Sequence, residues 1–191
     1  MKDKLNVADW LSVSRIILIP FLLVFIAMEK NSVVGWLVLL GFLTDALDGF
    51  LARKLNKTSK RGTKLDSIGD MLLIASALLG LFWLYTDFVV EHAWPALTAI
   101  GLFLLQFILS RIRYGKSSSF HTYMAKITAV ALALMLVSSF FFGIVPWLYY
   151  LAFIAAIVEA VEEIMLVFVL EKQRENVKGL YWVLKEGKDD R

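Results

Sequence analysis

The sequence predicts an all-α integral membrane protein with six transmembrane helices. Hydrophobic residues fill 59% of the 191 positions, whereas soluble globular domains are about 45–50% apolar. These residues form six runs that approach the roughly 20 residues a helix needs to cross a bilayer. The runs are continuous instead of alternating at every second position, which argues against membrane-spanning strands. The predicted spans are residues 11–28, 32–51, 65–85, 93–112, 123–144 and 147–170.

The segments outside the spans complete a single predicted domain, residues 1–191, because no linker or repeat divides the chain. No cleavage pattern follows the first apolar run, so we expect a retained helix and not a signal peptide. Residues 3–10 are compatible with a short helix in the membrane interface. The tail, residues 171–191, contains the apolar run 180–184, which is compatible with renewed membrane contact or with a frayed, solvated tail.

Lysine and arginine are concentrated at one end of the predicted spans. They lie before the first span, between the second and third, between the fourth and fifth, and in the tail, whereas the opposite loops hold Lys30 as their one basic residue. Positive residues mark cytoplasmic loops. We therefore expect a multi-pass protein of the cell (inner) membrane with both termini in the cytoplasm. Because the basic residues flank spans and do not form one soluble face, nucleic-acid binding is not expected.

Two pairs of aspartates lie near the cytoplasmic ends of the second and third spans, where a charged side chain needs a partner or a purpose. Within each helix the spacing of three, four or seven residues puts the acids on one face together with small residues. The two faces consist of Asp45, Asp48, Gly49 and Ala52 on the second span and of Gly62, Asp66 and Asp70 on the third. A short basic loop joins these spans, so the two faces are expected to converge.

Four carboxylates this close would repel one another unless a cation neutralised them. Carboxylate oxygens suit Mg²⁺, Mn²⁺ or Ca²⁺ better than zinc or copper, and the chain has no cysteine to supply a thiolate. The small residues leave open space, and Arg53 offers a planar cation suited to a phosphate. These features predict a metal-assisted site for a phosphate anhydride. The alternatives are close helix packing for the small residues and ion pairs with loop lysines for some of the aspartates.

The acidic motif resembles the signature of the CDP-alcohol phosphatidyltransferase family at every fixed position. It reads Asp45-x2-Asp48-Gly49-x2-Ala52-Arg53-x8-Gly62-x3-Asp66-x3-Asp70. The resemblance extends to the six-helix layout and to the first span, where this chain has Asp9-x2-Ser12-x2-Arg15 and the family often has Asn-x2-Thr-x2-Arg.

The resemblance implies an enzyme of phospholipid biosynthesis that transfers a phosphatidyl group from CDP-diacylglycerol to an alcohol and releases CMP. It implies two ions, Mg²⁺ or Mn²⁺, held by the four aspartates, with Asp70 also accepting the proton of the acceptor hydroxyl. It assigns CDP binding to Gly49, Ala52, Arg53 and Gly62. It further implies a homodimer whose other partners are the CDP-linked lipid donor, the small alcohol acceptor and membrane lipids.

The acceptor is expected to be glycerol 3-phosphate, as in the phosphatidylglycerophosphate synthase-like members of the family. A phosphorylated acceptor needs cations, and Arg111, Arg113 and Lys126 flank the loop between the fourth and fifth spans. An ordinary positive-inside cluster is an equal explanation for the two arginines. Ser67 stands where many of those synthases have proline, which leaves serine or inositol (phosphate) as alternative acceptors.

The sixth span carries Glu159, Glu162 and Glu163, for which we predict a structural role, with Glu159 and Glu163 pairing with Arg15 or Lys126. A divalent-cation transporter is the alternative from a different functional class, because transporters also place carboxylates in the membrane. The outer halves of the spans are almost wholly apolar, which favours the enzyme.

Overall fold

The computed structural model describes residues 7–55, 60–115, 120, 122–172 and 177–189, and all regular structure in these ranges is α-helical. Side chains are described for the same ranges except residues 7–9, 48–55, 60, 61, 63, 64 and 186–189. The helices are α1 (Val7–Ala27), α2 (Asn31–Leu55), α3 (Lys60–Leu84), α4 (Thr86–Glu91), α5 (Ala93–Tyr114), α6 (Tyr123–Phe142), α7 (Pro146–Val169) and α8 (Leu180–Asp189).

Four of the helices are long and apolar enough to cross a membrane, and the protein is thus an all-α integral membrane protein. The four candidate spans are Trp10–Ala27, Leu65–Leu84, Ala93–Tyr114 and Tyr123–Phe142. The predicted second and sixth spans are also helical. The described side chains of α2 include an apolar stretch over Asn31–Leu47, and α7 is apolar apart from three glutamates. The count of six spans stays a prediction.

For the two ends of the chain, the sequence predicted a possible interfacial helix at residues 3–10 and left two alternatives for the tail. Residues 7–10 belong to the continuous helix α1, and the remainder of the interfacial helix predicted for residues 3–10 lies outside the described residues. In the tail, the structure forms α8, so the apolar run 180–184 is helical.

One compact unit comprises Met1–Val90 and Leu136–Val145. Within it, α1 packs along both α2 and α3. Its core contains the buried apolar side chains Leu22, Val34, Val38, Leu73, Ala77 and Phe140. Glycine lets the helices approach closely, since a Cβ at Gly41 of α2 would lie 2.6 Å from Leu73 of α3.

The second compact unit comprises Glu91–Met135 and Pro146–Arg191, and in it α5 packs along α7. At one end, buried apolar residues of α7 join others from the segments before α6 and before α8. This cluster consists of Phe120, Leu166, Val167, Leu170 and Val177. α5 ends at Gly115, whose φ of 72° is a left-handed conformation that glycine adopts without strain.

The contact between α1 and α3 can be tested at Gly80. A Cβ there would lie 2.7 Å from Cδ1 of Ile26, and Ile26 is itself buried. We expect Gly80→Leu to destabilise the protein by about 1–3 kcal/mol through overpacking, measured as a lower thermal unfolding midpoint in detergent. Gly101→Leu is the matched control, because nothing lies within 4 Å of a Cβ at Gly101. Equal midpoints for the two variants would contradict this packing.

Candidate active site

The site is organised around Arg15, whose side chain is completely buried although it lies within the apolar helix α1. A buried guanidinium requires counter-charges, because the cost of removing it from water is otherwise large. Ser12, one turn earlier on the same helix, is also buried. On α3, a Cβ at Gly69 would lie 3.6 Å from Nη1 of Arg15 and 3.6 Å from the carbonyl oxygen of Ser12, so α3 passes close to both residues at this point.

Three carboxylates from two helices surround this guanidinium. Nη1 donates a hydrogen bond to Oδ1 of Asp66 at 3.3 Å and also contacts Oδ1 of Asp70. Nη2 lies 3.6 Å from Oδ1 of Asp45. The planar guanidinium of Arg15 therefore connects α1 to both α2 and α3. The ammonium group of a lysine is a compact point charge and would reach carboxylates on two helices less well.

The same three carboxylates form a group that fits a divalent cation. One oxygen from each of Asp45, Asp66 and Asp70 lies within 4.8 Å of the others. Their side chains are 36–44% exposed whereas Arg15 is fully buried. The carboxylates are therefore covered by protein on the side of Arg15 and accessible from the other side. Three carboxylates against one guanidinium leave an excess of two negative charges. Hard oxygen donors of this kind suit Mg²⁺ or Mn²⁺.

The structure thus brings together three of the four predicted aspartates. Asp48, Gly49, Ala52 and Arg53 lie on α2, but their side chains are outside the described residues. Gly62 is buried near the start of α3. Sequence reasoning did not assign Arg15 to this group, and its signal was a lone arginine within a predicted span, which had to find a partner.

The predicted acceptor residues belong to the second unit, and each has an exposed side chain. Arg111 and Arg113 lie in the last turn of α5. Lys126 lies in the first turn of α6, with its Nζ 5.3 Å from the centroid of the Tyr123 ring, a cation–π distance. Their part in binding the acceptor stays a prediction.

Two of the three glutamates of α7 interact with backbone N–H groups. Oε1 of Glu162 accepts a hydrogen bond from the N–H of Leu180 at 3.0 Å, and the carboxylate of Glu163 interacts with the backbone of Phe120. The predicted pairing of Glu159 and Glu163 with Arg15 or Lys126 stays a prediction.

The role of Arg15 can be tested without any substrate. In metal-free protein, we expect Arg15→Gln to lower the free energy of unfolding by about 1.5–3 kcal/mol, because the half-exposed carboxylates lose their charged hydrogen-bond donor and repel one another. Added Mn²⁺ should restore much of that loss by replacing the positive charge. Thermal unfolding in detergent, with chelator and then with Mn²⁺, measures both effects.

Two controls accompany that measurement. Arg113→Gln removes an exposed arginine and should leave the midpoint unchanged, and Arg15→Lys should lose less than Arg15→Gln because it keeps the charge. A metal-free Arg15→Gln protein as stable as the parent would contradict the ion-pair geometry.

Comparison with known proteins relates this site to a family. The family model for CDP-alcohol phosphatidyltransferase matches residues 5–168. Three relatives share the name CDP-diacylglycerol--glycerol-3-phosphate 3-phosphatidyltransferase. The protein of Haemophilus influenzae is 31% identical over 116 residues, 58% of either chain. That of Sodalis glossinidius is 31% identical over 147 residues, 71% of this chain and 76% of the relative. That of Aquifex aeolicus is 41% identical over 91 residues, 48% of this chain and 49% of the relative.

The match thus spans about half to three quarters of the length of these relatives. The family match covers most of this chain and includes α1 to α6 and almost all of α7. The resemblance found in the sequence motif is confirmed: the chain belongs to the CDP-alcohol phosphatidyltransferase family.

Proposed function

We propose that this protein is an enzyme of phospholipid biosynthesis that transfers the phosphatidyl group of CDP-diacylglycerol to glycerol 3-phosphate and releases CMP. The observation that carries the proposal is the group of three half-exposed carboxylates backed by Arg15. Family membership supports the reaction, and the printed name of the relatives supports the acceptor.

The four aspartates of the motif are assigned to two Mg²⁺ or Mn²⁺ ions. Asp45, Asp66 and Asp70 supply oxygens at suitable separations, and Asp48, three residues after Asp45 on α2, is the fourth ligand. When bound, the metal ions neutralise the pyrophosphate and stabilise the charge that develops on the departing CMP. Arg15 holds the carboxylates in place from the buried side.

Asp70 is assigned the proton transfer. The acceptor hydroxyl gives its proton to the Asp70 carboxylate while its oxygen attacks the phosphorus that carries the diacylglycerol. The bond from that phosphorus to the oxygen of CMP breaks, and CMP leaves with this oxygen. Asp70 is 36% exposed and therefore accessible to a hydroxyl.

The nucleotide is assigned to the small residues and the arginine that lie between the two aspartate pairs in the motif, Gly49, Ala52, Arg53 and Gly62. A glycine or alanine leaves space beside the carboxylates, and the guanidinium of Arg53 suits phosphate oxygens. On the acceptor side, the cations of Arg111, Arg113 and Lys126 are assigned to the phosphate of glycerol 3-phosphate.

The remaining parts of the proposal concern the setting of the site. We propose that residues 1–191 form one domain with six spans, that both termini and the site face the cytoplasm, and that two chains form a homodimer. The excess of lysine and arginine at one end of the helices supports this orientation.

The reaction is tested by measuring CMP release from CDP-diacylglycerol by purified protein with Mg²⁺ and glycerol 3-phosphate. We expect Asp70→Asn to lower kcat by about 10²–10⁴, because the amide cannot accept the proton, and a chelator to abolish activity until Mg²⁺ is returned. Asp87→Asn is the matched control, since Asp87 is an exposed acid on α4, and should retain full activity. If the parent releases no CMP with any alcohol, or if Asp70→Asn equals the parent, the enzyme proposal fails.

The acceptor is tested separately with a panel of glycerol 3-phosphate, serine and inositol phosphate. We expect glycerol 3-phosphate to give the highest kcat/KM and Lys126→Ala to raise its KM about tenfold or more, since a charged hydrogen bond contributes about 1.5–3 kcal/mol. The KM for the lipid donor should not change. Lys172→Ala, another exposed lysine of the second unit, is the control. A preference for serine or inositol phosphate would overturn the acceptor and leave the family reaction standing.

A further inference from the structure

The tail before α8 is joined to the segment that leads into α6. The N–H of Val177 donates to the carbonyl of Phe120 at 3.0 Å, and the N–H of Tyr123 donates to the carbonyl of Lys178 at 3.2 Å. Phe120 and Val177 are also both buried in the apolar cluster against α7. Two backbone hydrogen bonds and shared burial therefore fix the start of α8 beside the start of α6.

A side chain of α7 holds the first turn of α8. The carboxylate of Glu162 accepts the N–H of Leu180, which is one of the backbone donors that a helix N-terminus leaves without an intrahelical partner. A negative charge at this end is also favourable for the helix dipole. Leu180 and Val183 pack against the apolar cluster. The position of α8 is thus set by these contacts and does not depend on the proposed transferase reaction.

These contacts place α8 level with the ends of two candidate membrane spans. Tyr123 is the first residue of the span formed by α6, and Tyr114 is the last residue of the span formed by α5. The Tyr114 hydroxyl donates to the carbonyl of Leu170 at 2.9 Å, just beyond the end of α7. The start of α8 therefore lies at the depth where apolar helices leave the bilayer.

The outer side of α8 carries large exposed side chains that suit that depth. Tyr181 is 68% exposed, Leu184 is 49% exposed and Trp182 is 39% exposed. The Trp182 ring lies 5.4 Å from the Tyr123 ring, and Tyr123 is the end of an exposed stripe on α6. That stripe consists of Tyr123, Ile127, Val130 and Leu134, all exposed and spaced three or four residues apart.

We propose that α8 is an in-plane membrane anchor whose exposed face, Tyr181 and Leu184, contacts the lipid bilayer. The exposed stripe of a candidate span faces lipid, and the aromatic contact between Tyr123 and Trp182 continues that surface onto α8. Tyrosine and tryptophan prefer the boundary between headgroups and acyl chains. A short helix with an apolar side and a charged residue such as Lys185 at its surface is the kind that lies in this boundary.

The chain has no cysteine, so single labelling sites can be introduced directly. A fluorophore is attached to Tyr181→Cys or Leu184→Cys in the full chain, reconstituted into phosphatidylcholine vesicles with and without phosphatidylglycerol. Ile127→Cys on the α6 stripe is the lipid reference, and Lys172→Cys, an exposed charged position after α7, is the water reference. Unchanged thermal midpoints verify that each labelled protein is folded.

We expect nitroxide-bearing lipids to quench the labels at 181 and 184 to within about twofold of the label at 127, and aqueous iodide to quench them less than half as much as the label at 172. The opposite pattern, with strong iodide quenching and weak lipid quenching, would overturn the proposal and make α8 a solvated helix. Protection from both quenchers that is lost when the protein is diluted in lipid would also overturn it, because a second copy of the chain would then cover α8.

Discussion

The buried charge of Arg15 is the constraint on which the site depends. A guanidinium inside an apolar helix is tolerated only where counter-charges meet it, and in this protein Asp45, Asp66 and Asp70 on two other helices do so. Satisfying one arginine thus determines which faces of α1, α2 and α3 pack together. The carboxylates gathered on one side of it remain accessible on the other, and their excess negative charge is what a divalent cation would balance.

Local spacing predicted the acids and not the arginine. Asp66 and Asp70 are one helical turn apart, so the sequence places them on one face directly. The short loop between the second and third spans makes these helices neighbours, and this predicted that Asp45 lies close to both. Arg15 meets Asp66 and Asp70 across 51 and 55 residues. A pairing over that separation depends on how α1 packs against α3, which periodicity within one helix does not encode. The isolated charge in the first span showed that a partner was needed without identifying it.

In the second unit, too, the helices were predicted from the sequence whereas their side-chain partners were not. Hydropathy located its helices to within a few residues, yet the acids of α7 could not be matched with partners, because Glu162 bonds to a backbone N–H that exists only once α8 has formed. The tail run 180–184 was compatible with renewed membrane contact or with a frayed, solvated tail for the same reason. Ten residues are too short to be stable as an isolated helix, so packing on the apolar cluster decides its state.

The placement of the carboxylates within their helices also agrees with a lipid-linked substrate. Asp66 and Asp70 lie one and five residues after the start of the candidate span Leu65–Leu84, so they are about 2–8 Å along the helix from that end. A substrate that keeps its acyl chains in the bilayer presents its phosphates near the surface. A water-soluble alcohol enters from the opposite direction. Under the proposed function, carboxylates at this level, with basic residues between them and the loop, would be within reach of both a lipid donor and a water-soluble alcohol, whereas acids at mid-bilayer would exclude the alcohol.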